Sequence, residues 1–199
     1  MLEGLDGSGK TTQVAWLAAA LRARGHAVRE TREPTNGAFG RRIREMAASG
    51  QRVSPEEELR WFMEDRREHV RDVIRPALDA GEIVVSDRYY LSTVCYQGAR
   101  SVPDARGTPE AILAASEAEF PLPDLALVLE LEATAGLARV RIRGGRAEPA
   151  FENAAFLERV AQLFAGLRCA YVERIDARGA PEDVRAAIAA AVRRRLALL

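Results

Sequence analysis

The 199-residue sequence predicts an α/β fold, with five parallel strands in one doubly wound sheet and helices on both faces. Three observations carry that reading. Short, fully apolar runs such as Ile83-Val84-Val85 and residues 125–131 suit strands buried on both faces. Longer helical patterns separate these runs, which gives the alternation of right-handed β-α-β crossovers. A glycine-rich turn, Gly4-Leu5-Asp6-Gly7-Ser8-Gly9, joins the first strand to the first helix.

In chain order, Met1-Leu2-Glu3 supplies the first strand. A central strand normally runs to about five residues, so a few residues are expected to be missing ahead of Met1. Residues 11–24 form a helix pattern ended by Gly25, a residue suited to the left-handed position after a helix. A strand at 27–31, a loop at 34–37 and a helix at 39–48 follow. Ser54-Pro55-Glu56-Glu57 is a helix start, with an N-cap serine, proline at the first helical position and glutamate at the third. That helix runs to Asp79 and stops at Gly81, and Pro76 is expected to bend or end it. The 83–85 strand ends at Ser86-Asp87. Helices near 89–98 and 109–119 lead to the strand at 125–131, a helix at 133–143 and a Gly/Arg/Pro loop at 143–150. A helix from about Asn153, a strand at 171–175 and a helix opened by Pro181 complete the chain. Neither an internal repeat nor a low-complexity linker divides it, so residues 1–199 read as a single domain.

Formal net charge is zero. Long-range attraction to nucleic acid or a membrane surface is therefore not expected, and any electropositive site must be local. Cys95 and Cys169 are too few for a disulfide framework, and no Cys/His cluster suggests a metal. The apolar runs are too short to cross a bilayer and no signal-peptide pattern stands at Met1, which makes the cytoplasm the expected location. The abundance of alanine and arginine has the character of a codon bias.

Lys10 is the only lysine among 29 basic side chains. It stands where Gly4 to Thr11 fits GxxxxGK[ST], the phosphate-binding loop of the P-loop NTPase fold. Glycines let the backbone N–H groups curl around a polyphosphate, and the following helix adds its positive end. Gly4, Leu5, Asp6, Gly7, Ser8, Gly9, Lys10, Thr11 and Thr12 are accordingly the expected ATP-binding residues. Lysine places a compact charge on a flexible stem, whereas the planar fork of arginine would not enter the same passage. A bias toward arginine would have replaced any lysine whose geometry did not matter. Thr11 and Asp87, the latter at the end of an apolar strand, are the expected Mg²⁺ ligands. A GTPase base-reading NKxD is impossible without a second lysine. Arg88 follows Asp87 in place of the glutamate of a water-activating ATPase, which favours phosphoryl transfer to an acceptor over hydrolysis.

Further signals follow in order: Thr31-Arg32-Glu33-Pro34, Phe62 with Asp65-Arg66 and His69, Asp87-Arg88-Tyr89, and Ser92-Thr93 with Tyr96-Gln97-Gly98. Together with the glycine loop, this ordered set resembles the thymidylate kinase (dTMP kinase) family of P-loop nucleoside monophosphate kinases, from Leu2 to Ala177. The resemblance implies ATP-dependent phosphorylation of dTMP to dTDP. It assigns Phe62 to stacking on thymine, Arg66 to the base edge, and Gln97, Thr93 and Ser92 to the polar shell of the acceptor. Tyr96 corresponds to the aromatic that disfavours a 2′-hydroxyl, Arg44 and Arg88 to arginines on the acceptor phosphate, and Asp6 to a carboxylate near the acceptor sugar. Lys10, Arg88 and Arg143 are the expected catalytic residues.

A short arginine-bearing lid, about residues 139–152, is implied as well, with Arg143 and then Arg146 as the arginine nearest the transferred group and Arg139 near adenine. The family's Asp-Arg-x-Glu near the lid tip is missing, and Thr35-Asn36 stands where Gly-Gly is usual. These departures leave two alternatives open, a kinase for another pyrimidine monophosphate and a nucleotide-binding regulator without turnover. A homodimer is implied, built on the apolar stripes of the helices at 39–48 and 55–79. Neither His26 nor His69 is expected to do more than sit at a surface or pack a helix.

Overall fold

The computed structural model describes residues 1–100, 107–142 and 154–199. Five strands, β1 (Leu2–Gly4), β2 (Val28–Arg32), β3 (Ile83–Asp87), β4 (Ala126–Glu130) and β5 (Val172–Asp176), form one parallel sheet in the order β2-β3-β1-β4-β5. Alternation along β4 shows why its run is wholly apolar. Ala126 and Val128 enter one core, Leu127 and Leu129 the other. The first core is closed by α5 (Tyr90–Tyr96), α6 (Pro109–Glu119) and α8 (Ala154–Gly166); the second by α1 (Lys10–Ala23) and α9 (Pro181–Leu196).

β1 has three residues and is held from both sides. The Arg88 N–H donates to Leu2 O at 3.0 Å, and the Leu127 N–H donates to Met1 O at 2.9 Å. Its short course ends where the glycine loop must begin, beside the ends of β3 and β4. In a doubly wound sheet the crevice at the carboxyl ends of such strands is where ligands bind.

α2 (Ala38–Ser49) and α3 (Pro55–His69) flank that crevice. Ser54 caps α3 as expected, accepting from the Glu57 N–H at 3.2 Å. The expected single helix over 55–79 is instead α3, a π-helical turn at Val70–Ile74 and α4 (Arg75–Asp79). Pro76 neither ends nor breaks the run. Because it lacks an N–H and its ring crowds the carbonyl four residues back, the chain widens one turn upstream and then continues. α7 (Ala133–Ile142) completes the described helices.

Candidate active site

The glycine loop takes its shape from backbone that side chains disfavour. Gly4 has φ 131° and Gly7 φ 83°. A Cβ on Gly7 would lie 2.3 Å from Gly136 O, so the loop packs backbone to backbone against α7. Gly9, also left-handed, leads directly into α1. Lys10 is buried, and its ammonium donates to Gly4 O at 3.0 Å and Leu5 O at 2.8 Å. Burial pushes its pKa down to about 8, and the positive charge of Arg88 acts in the same direction.

Arg88 sits at the turn from β3 into α5 with φ 71°, a conformation costly for a non-glycine residue. Its neighbours hold it there: its own N–H donates to Leu2 O, and the Ser86 hydroxyl donates to its carbonyl at 2.6 Å. The guanidinium then reaches Asp6 Oδ1 at 2.5 Å, Ser92 Oγ at 2.8 Å and Gly4 O at 3.3 Å, and lies 5.2 Å from the Tyr96 ring centre. Burial disfavours that charge, but Asp6 and the more distant Asp87 and Glu3 outweigh it and keep Arg88 cationic. Glu3 is itself fully buried beneath this corner, accepting from the Tyr89 N–H and the Ser92 hydroxyl.

A cavity of about 270 Å³ opens at this point. Lys10, Thr11, Asp6 and Asp87 line it together with Arg44, Arg88 and Ser92, and Phe62, Tyr96 and Gln97 belong to the same wall. The expected phosphate-side and base-side residues thus meet in one space. Arg66 and Thr93 do not reach it. Both are 1% exposed, and Glu33 lies on the wall instead.

Arg66 is held from several sides. Its Nε and Nη2 donate to Glu33 Oε2 at 3.0 and 2.6 Å, and Nη2 also donates to Thr93 Oγ1 at 2.9 Å. His69 Nδ1 lies 2.9 Å from Glu33 Oε1, while Nε2 lies 2.6 Å from the Thr31 hydroxyl. A carboxylate only accepts, so Nδ1 carries the proton and Nε2 accepts from Thr31. Burial would raise the Glu33 pKa, but Arg66 and His69 outweigh it and hold the carboxyl below its ordinary range. His69 therefore ties β2 to α3, a role beyond the bland packing expected of it.

Thr35 accounts for one departure noted in the sequence. Its N–H and hydroxyl both donate to the Asp65 carboxylate, at 2.8 and 2.6 Å, and the Gly37 N–H donates to its hydroxyl at 2.9 Å. The loop ahead of α2 is thereby pinned to α3. Arg44 donates to Pro34 O and Thr35 O in the same loop and also faces the cavity.

A family model, thymidylate kinase, matches residues 2–188. The chain belongs to the thymidylate kinase family. It is 41% identical over 177 residues to the thymidylate kinase of Desulfotalea psychrophila, covering 89% of this chain and 85% of that one. It is 41% identical over 198 residues to that of Akkermansia muciniphila, with 100% and 90% covered. With the thymidylate kinase of Xanthomonas campestris pv. campestris it shares 44% over 183 residues, with 92% and 77% covered.

Two expectations drawn from the thymidylate kinase resemblance fall partly beyond the described residues. Arg143 and Arg146 lie outside them, as does most of the lid expected at 139–152. Arg139 is described and donates to Ala177 O at 2.8 Å and Arg178 O at 2.9 Å, which fastens α7 to the loop after β5.

For Mg²⁺, the Thr11 hydroxyl and Asp87 Oδ2 stand 2.5 Å apart, two hard oxygen donors on the cavity wall. Among the described residues no cluster of three or more His, Cys, Asp or Glu forms a metal cage. The donor set fits a cation that retains most of its water and takes other oxygens from phosphate. No helix among the described residues is long and apolar enough to cross a membrane.

Proposed function

We infer that the chain catalyses the ATP-dependent phosphorylation of dTMP to dTDP. The observation that carries this reading is the shared cavity: Lys10 and Thr11 of the glycine loop face the same space as Arg44, Arg88, Phe62 and Gln97. In this reading the glycine loop, residues 4–12, wraps the ATP polyphosphate. Its ammonium group, now on Gly4 O and Leu5 O, turns to the β- and γ-phosphates. Thr11 and Asp87 would hold Mg²⁺, which when bound supplies positive charge between the phosphates. Arg139 would border adenine from its seat on the loop after β5.

The acceptor is a phosphate monoester whose second pKa is about 6, so it is a dianion at neutral pH and attacks without a general base. The physical difficulty is to hold two polyanions in line. Arg88 is placed for this, since its backbone is fixed by strain and its guanidinium by Asp6 and Ser92 before any substrate arrives. Arg44 adds a second cation to the acceptor phosphate, and Arg143 a further one from the lid. Phe62 stacks on the base, Gln97 reads its edge, and Tyr96 crowds the 2′ position. Arg66 and Thr93 support that pocket from behind through Glu33. A homodimer built through α2 and α3 is part of the same proposal.

Coupled ADP release with a panel of nucleoside monophosphates tests the reading. dTMP is the expected preferred acceptor. Preference for another monophosphate, or nucleotide binding without turnover, overturns it.

A further inference from the structure

Glu58 lies on α3 one turn before Phe62, on the same face of the helix, and is 1% exposed. No sequence motif singled it out. One carboxylate oxygen accepts from Arg100 Nη1 at 2.5 Å, and the other from Gln97 Nε2 at 2.9 Å. Arg100, at the end of the segment after α5, also lies 5.2 Å from the Phe156 ring centre, so both ends of this ion pair are fixed. Gln97 is 4% exposed, lines the cavity, and has no hydrogen-bond partner for its Oε1.

An amide side chain can present either its oxygen or its NH₂ group, and a buried glutamine free to turn would read a donor or an acceptor equally well. Here the choice is made by chemistry. A carboxylate paired with arginine only accepts, so the Gln97 NH₂ group must face Glu58. The carbonyl oxygen is then the polar atom left for a ligand. A buried acceptor of this kind favours a base edge carrying N–H and rejects one carrying a lone pair, because the mismatch leaves two buried acceptors unsatisfied.

We propose that Glu58 is a specificity-determining positioning residue, which locks Gln97 with its carbonyl toward the acceptor and so selects a pyrimidine protonated at N3. Thymine and uracil carry that N–H; cytosine presents a lone pair there. This rests on the dTMP reading above and extends it to a residue that does not itself touch substrate. Its consequence is separable from any contact at the base's 5-methyl group.

The test is Glu58→Gln, which keeps size but gives position 58 both a donor and an acceptor and so frees Gln97 to turn. The kinetics of dTMP, dUMP and dCMP are compared, with dCMP measured as a competitive inhibitor where its turnover is too slow. The dTMP-over-dCMP preference in kcat/KM, or in affinity, is expected to shrink by about tenfold or more. The dTMP-over-dUMP ratio should hold, because both bases carry N3–H, and the change should sit in acceptor KM with ATP KM unmoved. Should the single variant fail to fold with Arg100 left unpaired, Glu58→Gln/Arg100→Gln removes that charge and is expected to show the same loss of preference. Three acceptors declining in parallel, with all ratios unmoved, would overturn the proposal and leave the dTMP reading intact. A wild-type enzyme inactive on dTMP would overturn both.

Discussion

The phosphate end of the cavity and its base end are made of different material. At the phosphate end the binding surface is backbone, drawn from eight consecutive residues and shaped by glycines at φ 131°, 83° and 95°. At the base end it is side chain, held by pairs far apart in sequence. Arg66 and Glu33 are 33 residues apart, His69 and Glu33 36, and Gln97 and Glu58 39. A backbone cradle tolerates no change of shape at its few charged atoms but contributes little to the core. A buried side-chain network is part of the core, so changes there reach stability before they reach chemistry. The two ends should therefore fail in different ways.

The largest effect is expected from Lys10→Arg. It keeps the charge, yet kcat should fall about a hundredfold or more because the planar fork cannot follow the ammonium into the loop. Melting temperature should barely move. ADP release and a thermal melt measured on one preparation check both halves, and an active variant would show that lysine geometry is immaterial.

Glu33→Gln should do the reverse. It leaves Arg66 and His69 buried around a neutral amide, and breaking such a pair costs about 3–5 kcal/mol, read as a lower urea midpoint. The pH dependence has the sign of a depressed carboxylate. Its stabilisation is present above the unfolded-state value of 4.5 and is lost as pH falls below it. Urea midpoints at several acid pH values should fall more steeply for the wild type than for the variant. A variant as stable as the wild type at neutral pH would mean that the network does not hold α3 to β2.

Phe62→Ala is expected to raise the dTMP KM by about tenfold with the ATP KM unchanged, since the side chain lines the cavity away from the glycine loop's own atoms. Equal shifts in both would remove Phe62 from the base site.

The same contrast decides how much of the molecule was legible in the sequence. The glycine loop, the apolar strands and the Ser54 cap are local patterns, in which neighbours along the chain are neighbours in space. The sheet order, the cap geometry and the joint presence of Lys10, Thr11, Asp87 and Arg88 at one cavity agree with that reading. What remained hidden was non-local. His69 appeared as one more helix residue because its partners Thr31 and Glu33 come from another element. Glu58 appeared as one of three consecutive glutamates at a helix start, and nothing in the helical period marks the one that turns inward toward Gln97 and Arg100. Pro76 was a legible signal whose effect was displaced, because the strain it causes is relieved in the turn before it.

A smaller effect follows from Lys10 as well. With its pKa near 8 in the free protein, about half of the lysine is neutral at pH 8, and a bound polyphosphate restores the charge. ATP binding should therefore take up about half a proton at pH 8 and about a tenth at pH 7. Titration calorimetry in buffers of different ionisation enthalpy measures this directly. Uptake that persists unchanged in Lys10→Gln would assign the proton to another group.

Whether one cavity accommodates both reactants at once can be seen in a crystal of the protein with a thymidine–adenosine bisubstrate analogue joined through phosphates. The thymine ring should lie against Phe62 with N3 toward Gln97 Oε1, and the phosphate bridge should be enclosed by residues 4–11. A base bound away from Phe62, or a phosphate chain outside the glycine loop, would contradict it.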